Sequence, residues 1–233
     1  MTINVVDRID DQVQIRHVLV SVSDKRGLDR FVPELVRLNP DLRIFSTGGT
    51  FLHLEKILDV DARRTLTQVS DYTGQPETQG GLVKTLDFKI YLGLLTETYN
   101  AAHQQDLART AGVPIDMVVV NLYPFQQTVA RAEVSVEEAR ANIDIGGPCM
   151  IRAAAKNFIR VASLVDPADY DPVAAELRRA GGALSLATRF HLAQKAFAYT
   201  AHYDQGIAAY LGERDFAEVE ACYPKMHRTE AHR

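Results

Sequence analysis

Two short segments rich in hydroxyls and glycine stand where an apolar run gives way to a helical pattern. Ser21-Val22-Ser23-Asp24-Lys25-Arg26-Gly27 follows residues 17–22, and Ser46-Thr47-Gly48-Gly49-Thr50 follows residues 42–45. Glycines let backbone N–H groups converge on an anion, hydroxyls add donors, and the start of a helix adds its positive end. Lys25 supplies a full charge. The chemistry this composition suits is a phosphate cradle, and the same residue types also serve as plain caps and turns.

Three further constellations carry reactive side chains. Lys84-Thr85-Leu86 follows a polar loop at 75–81. Asn121-Leu122-Tyr123-Pro124-Phe125 follows a Val-rich run directly. Asn142-Ile143-Asp144-Ile145-Gly146-Gly147-Pro148 precedes a helical stretch that carries Arg152 and Lys156. Pro148 suits a first helical turn, and the paired glycines leave their amides open to an oxyanion. Taken singly, Asp144 reads equally as a helix cap, Tyr123 as half-buried packing and Lys156 as part of a solvated face.

These residues need a scaffold, and the periodicity supplies one. Apolar runs at 17–22, 42–45, 90–95, 117–121 and 161–165 read as buried strands. Helical patterns fill the gaps at 28–38, 51–58, 101–111, 136–141 and 151–157. That alternation predicts an α/β fold, a doubly wound and mostly parallel sheet with helices on both faces. Ligands in such sheets bind at the carboxyl ends of the strands, where the glycine segments lie. Ser135 and Glu138 are spaced as a capping box. Beyond Val165 the pattern turns helical, at 172–180 and 184–211, and the polar tail from Glu213 is expected to be loosely held. The expectation is a nucleotide-binding α/β domain over 1–165 and a C-terminal helical extension over 166–233. A stripe of Phe190, Ala193, Phe197 and Thr200 is expected to pack on the sheet domain or on a second subunit.

Composition narrows the partners. Lys and Arg number 26 against 30 Asp and Glu, so net charge is −4 and non-specific binding to nucleic acid or an acidic membrane gains no support. The first seventeen residues hold no apolar run long enough for a signal peptide, and the longest apolar stretches are strand-sized. Two cysteines, Cys149 and Cys222, without a CxxC pattern argue against a disulfide framework or a zinc site. The expectation is a soluble, cytoplasmic protein.

In order and spacing, VSVSDK, STGGT, VSDYTG, VKTL, VVVNLYPF, NIDIGGP, RAAAKN and LAQKAFAYTAHYD resemble the IMP cyclohydrolase half of the bifunctional purine enzyme that also carries AICAR formyltransferase. The resemblance runs from about His17 to Leu211. It implies a methylglyoxal-synthase-like fold and closure of 5-formamidoimidazole-4-carboxamide ribotide (FAICAR) to IMP with loss of water. Position by position, it implies Ser23, Asp24 and Lys25 near phosphate and ribose, with Thr47, Gly48, Gly49 and Thr50 completing the cradle. Lys84 and Thr85 would lie beside the reacting groups or the phosphate, and Asn121, Tyr123, Asp144 and Lys156 around the closing ring. Lys156 would transfer the proton, tuned by Asp144 and Tyr123, while Lys84 and the amides of Gly146 and Gly147, beside Ile145, would stabilise the oxyanion. The resemblance implies no metal, no organic cofactor and a homodimer. No formyltransferase-sized stretch follows, so a cyclohydrolase acting alone is expected, with a separate formyltransferase as supplier.

The match departs from the family around Lys84. There the family reads close to GRVKTLHPKxHxG, whereas this chain has Leu82 for the arginine, Asp87-Phe88 for His-Pro and Tyr91 for the second histidine. Losing an arginine removes a five-donor fork suited to an anion. Three readings stand: an ordinary cyclohydrolase, a related ring closure or its reverse on a purine-like nucleotide in specialised metabolism, and a catalytically silent nucleotide-binding module. A flavodoxin-like or Rossmann-type cofactor protein ranks below them, because no GxGxxG follows a strand.

Overall fold

The computed structural model describes residues 5–75 and 84–225. Leu82 and most of the loop expected at 75–81 lie outside the described residues. In chain order the elements are β1 (Gln12–Gln14), β2 (His17–Val22), α1 (Leu28–Leu38), β3 (Arg43–Ser46), α2 (Gly48–Ile57), β4 (Leu66–Gln68), α3 (Val69–Thr73), α4 (Phe88–Leu95) and α5 (Ala101–Arg109). They continue with β5 (Met117–Asn121), α6 (Phe125–Val129), α7 (Val136–Ala141), α8 (Gly146–Lys156), β6 (Ala162–Leu164), α9 (Tyr170–Arg179), β7 (Ala183–Ser185), α10 (Leu186–Gly212) and α11 (Phe216–Ala221).

Five strands form one sheet in the order β4-β3-β2-β5-β6, every neighbouring pair parallel. Parallel strands buried on both faces need continuous apolar sequence. In β5 all five residues are buried, and in β2 Val18, Leu19 and Val20 are fully covered. The fold is therefore the α/β architecture with a parallel sheet and alternating helices that the sequence predicts. β1 and β7 pair separately as a short antiparallel ribbon. Gly27, with φ at +77°, lets the chain turn from the end of β2 into α1, and a Cβ there would lie 3.1 Å from the ring of Tyr170.

Residues 90–95 do not form the expected strand: they lie in helix α4. A six-residue apolar run has no period that separates a buried strand from a buried helix. Asp87 tips the balance, its side chain accepting the Lys89 N–H at 2.7 Å as a helix cap. The remaining sheet strand is instead β4, whose Leu-Thr-Gln sequence carries almost no apolar signal.

The chain divides into two compact units, but not at Val165. The first holds Met1–Leu122 with Ile145–Thr200, and the second Tyr123–Asp144 with Ala201–Arg233. Residues 166–200 stay with the sheet for a physical reason. β7 pairs with β1, and Tyr170 of α9 stacks on Phe31 of α1 at 4.6 Å between ring centroids. In α10 the covered positions of this unit are Arg189, Leu192, Ala193, Ala196 and Thr200, whereas Phe190 and Phe197 of the expected stripe are exposed. In the second unit Phe125 is buried against the edges of Tyr203 and Tyr210. The Ser135–Glu138 capping box forms there as the sequence predicts. Among the described residues no helix is long and apolar enough to cross a membrane.

Candidate functional site

At the carboxyl ends of β2, β3 and β5 the first unit gathers most of the sequence-predicted residues. α2 follows β3 after Thr47, and α8 follows Ile145. Both begin with a glycine pair, Gly48-Gly49 and Gly146-Gly147, and neither N-cap makes a side-chain capping bond. Helices of 10 and 11 residues thus open on glycines, each presenting the positive end of its dipole. Gly48 takes φ at +49°, a conformation that favours glycine.

Lys84 and Thr85 tie the two helix starts together. A Cβ at Gly48 would lie 2.9 Å from Lys84 Nζ, and one at Gly146 would lie 2.8 Å from Thr85 Oγ1. Neither position has room for a side chain unless its neighbour moves. Thr85 is buried, at 5% exposure. The arrangement offers an anion two helix N-termini, an ammonium group and a hydroxyl. It suits a doubly charged phosphate, or a phosphate together with a developing oxyanion.

The loop after β2 supplies a further edge. Asn121 Oδ1 accepts the Asp24 N–H at 2.8 Å, and Asn121 Nδ2 donates to the Asp24 carbonyl at 2.9 Å. Thr50 Oγ1 accepts from Val22 N at 3.1 Å and donates to the Val22 carbonyl at 3.0 Å. The Asp24 carboxylate is engaged by Arg26, at 2.8 Å from Nε and 2.5 Å from Nη2, and accepts the Arg26 N–H at 3.0 Å. Those bonds hold its pKa below the usual carboxylate range, mainly through the guanidinium, while burial opposes them. Arg26 is a cation at this loop that sequence reasoning did not single out, although a charge beside Gly27 in a candidate cradle was the available signal. Ser23 and Lys25 are partly exposed on the same loop.

Lys156 is exposed at the last position of α8. At 1.5 Å per residue, that is about 15 Å along the axis from Gly146. Tyr123 and Asp144 belong to the second unit. There Tyr123 is 55% exposed, and the Asp144 N–H donates to Tyr203 Oη at 2.8 Å. Of the residues that depart from the family motif, Asp87 caps α4 rather than serving an anion, and Phe88 is exposed. Tyr91 is partly buried, and burial beside Cys149 pushes its phenol well above the ordinary range.

Comparison with known proteins adds a second line. Residues 27–149 match the MGS-like domain, and residues 154–233 match the family described as the AICARFT/IMPCHase bienzyme. The bifunctional purine biosynthesis protein PurH of Chlorobium phaeovibrioides is 49% identical over 207 residues, covering 89% of this chain and 38% of that protein. PurH of Sorangium cellulosum is 49% identical over 219 residues, covering 91% of this chain and 40% of that protein. The chain thus spans about two fifths of the length of the curated relatives it matches. Among solved structures, ForH superposes with a TM-score of 0.70 at 31% identity, covering 84% of this chain and 97% of that one.

Proposed function

This chain belongs to the MGS-like and AICARFT/IMPCHase bienzyme family, and from that membership we propose that it catalyses closure of the FAICAR ring to IMP. The observation that carries the reading is the close approach of Lys84 Nζ to Gly48 at the start of α2 and of Thr85 Oγ1 to Gly146 at the start of α8. In the reaction the carboxamide nitrogen attacks the formyl carbon, forming the ring C–N bond and giving up a proton. The formyl oxygen becomes an oxyanion, takes up that proton and the one from the former formamido N–H, and leaves as water as the C–O bond breaks and that nitrogen forms the ring C=N bond. A neutral amide is a poor nucleophile, so the step needs a proton acceptor for nitrogen and donors for oxygen. Holding the two groups in line supplies much of the rest, because the closure is intramolecular.

In this proposal the phosphate sits on the start of α2 with Ser23, Lys25 and Thr47, and the formyl oxygen faces Lys84, Thr85 and the amides of Gly146 and Gly147. The roles of Tyr123, Asp144 and Lys156 rest on the motif match alone. Lys156 keeps the proton-transfer role there, although within one chain it stands a helix length from Gly146. The protein is proposed to act in the cytoplasm, as a homodimer, without a metal or organic cofactor, on substrate made by a separate formyltransferase.

The test is a spectrophotometric assay following IMP formation from FAICAR over the spontaneous rate. Lys84→Ala is expected to lower kcat about 10²–10³-fold, the range for removing one oxyanion donor. Lys156→Ala with intact folding and near-normal turnover would remove Lys156 from the mechanism and leave Lys84 as the lysine proposed to face the reacting groups. No turnover by wild-type protein that still binds IMP would replace the cyclohydrolase reading with a changed substrate or a binding role.

A further inference from the structure

β2 is the middle strand, and its exit is where the ladder of hydrogen bonds stops. Val22 is its last residue and pairs in register with Asn121. Beyond it the backbone groups of residues 22–24 need other partners, because a covered N–H or C=O without one is costly. Two side chains meet that need in the same manner, each serving both backbone groups of one residue. Thr50, from the first turn of α2, takes the N–H and the carbonyl of Val22. Asn121, at the end of β5, takes the N–H and the carbonyl of Asp24. Between them the Ser23 N–H donates to the Asn121 carbonyl at 3.4 Å. Both side chains are well covered, Thr50 at 5% and Asn121 at 8% exposure.

This pairing sets what the two residues have left to give. A threonine hydroxyl has one proton, and the Val22 carbonyl holds it. Asn121 has its oxygen and one amide hydrogen committed to Asp24. We propose that Thr50 and Asn121 are positioning residues of the cradle: they fix the Ser23–Arg26 segment from two sides, to α2 and to β5, so that Ser23, Lys25 and Arg26 meet a nucleoside monophosphate already aimed. The proposal rests on the cyclohydrolase reading only for the identity of that ligand.

The experiment compares Thr50→Val and Asn121→Leu, which remove the clamps, with Thr50→Ser and Asn121→Asp. Serine keeps both bonds of the hydroxyl, whereas aspartate accepts from Asp24 N–H but cannot donate to its carbonyl. Three quantities are read: amide hydrogen exchange across residues 22–26 in the free protein, the calorimetric Kd for IMP, and KM against kcat. Thr50→Val and Asn121→Leu are expected to speed exchange in that segment. Each is expected to raise Kd and KM about tenfold, as for a mis-set binding loop, with kcat changed far less. Thr50→Ser restores wild-type values, and Asn121→Asp, whose second oxygen would face the Asp24 carbonyl, behaves like Asn121→Leu.

Unchanged exchange in both clamp-removing variants, or Thr50→Ser behaving like Thr50→Val, overturns the proposal. So does a fall in kcat with KM unmoved in Asn121→Leu, which would put the asparagine on the reacting atoms. If wild-type protein neither binds IMP nor turns over FAICAR while exchange still responds to the clamps, the functional reading fails and the clamping of the segment stands.

Discussion

The two ends of the parallel sheet treat buried polar groups in opposite ways. At the end where the strands begin, two buried arginines have their donors taken up by the protein. Arg160, 6% exposed, donates to the carbonyls of Thr96, Ile115 and Gly93 and to Asp116, which in turn accepts from the N–H groups of Arg16 and His17. Arg189, fully buried, donates to the carbonyls of Asp10, Asp11, Phe158, Ile159 and Leu184. At the end where the strands finish, α2 and α8 open without side-chain caps and Lys84 Nζ sits over Gly48. Saturated donors hold a fold together, and a helix start with an ammonium group beside it suits an anionic ligand. Cationic side chains occur at both ends, so charge alone does not tell one from the other.

The largest effect expected from this contrast is on stability. Arg160→Met leaves the Asp116 carboxylate buried with its ion partner gone and several carbonyls without a donor. Unfolding by urea is expected to show a loss of about 3–5 kcal/mol, as for other broken buried pairs. A loss below about 1 kcal/mol would erase the distinction between the two ends.

Gly146→Ala is expected to cost less stability and more activity. Alanine favours a helix over glycine by up to about 1 kcal/mol, but its methyl group must displace the buried Thr85, so a net loss of about 1–2 kcal/mol is expected. The new methyl group meets Thr85 Oγ1, and a displacement of the order of 1 Å there is expected to lower turnover about 10²-fold. Normal turnover in this variant would show that the space between α8 and Thr85 is not used in catalysis.

The smallest effect lies away from both ends. Glu34 of α1 bonds Arg37 and reaches Arg178 of α9 at 2.9 Å. Those two guanidiniums lower its pKa from 4.5 to about 2. A depressed carboxylate contributes stability above its ordinary pKa and loses it as pH falls toward the folded value. Wild type is therefore expected to lose this contribution between about pH 4.5 and pH 2, and Glu34→Gln to lack that part of the slope. For a pair near the surface the difference is at most about 1 kcal/mol. Denaturation of both proteins at pH 6 and pH 3 reads it.

Much of the scaffold was legible because its signals are local. β2 and β5 coincide with their apolar runs, α1 spans the 28–38 pattern, and the capping box announces α7. The glycine pairs likewise mark the two helix starts. Elsewhere the local signal was missing or ambiguous. The 90–95 run suited either a strand or a helix, β4 is three residues with little apolar character, and the exposed Phe190 and Phe197 share their helix with buried small residues. The compact units divide at other places than Val165, and residues 166–200 stay with the first unit because β7 pairs with β1, some 170 residues earlier in the chain.

By itself, then, the sequence determined the alternation of parallel strands and helices, the family, and the short segments able to face an anion. These depend on hydrophobic period, turn chemistry and motif order, all written within a few neighbouring residues. Only the tertiary structure decided which of those residues meet. It set Lys84 over Gly48, bonded Thr50 to Val22 at the end of β2 and Asn121 to Asp24 just beyond it, across 28 and 97 residues, and placed Lys156 a helix length from Gly146. Such pairings follow from how packed elements converge, which no local pattern in the chain encodes.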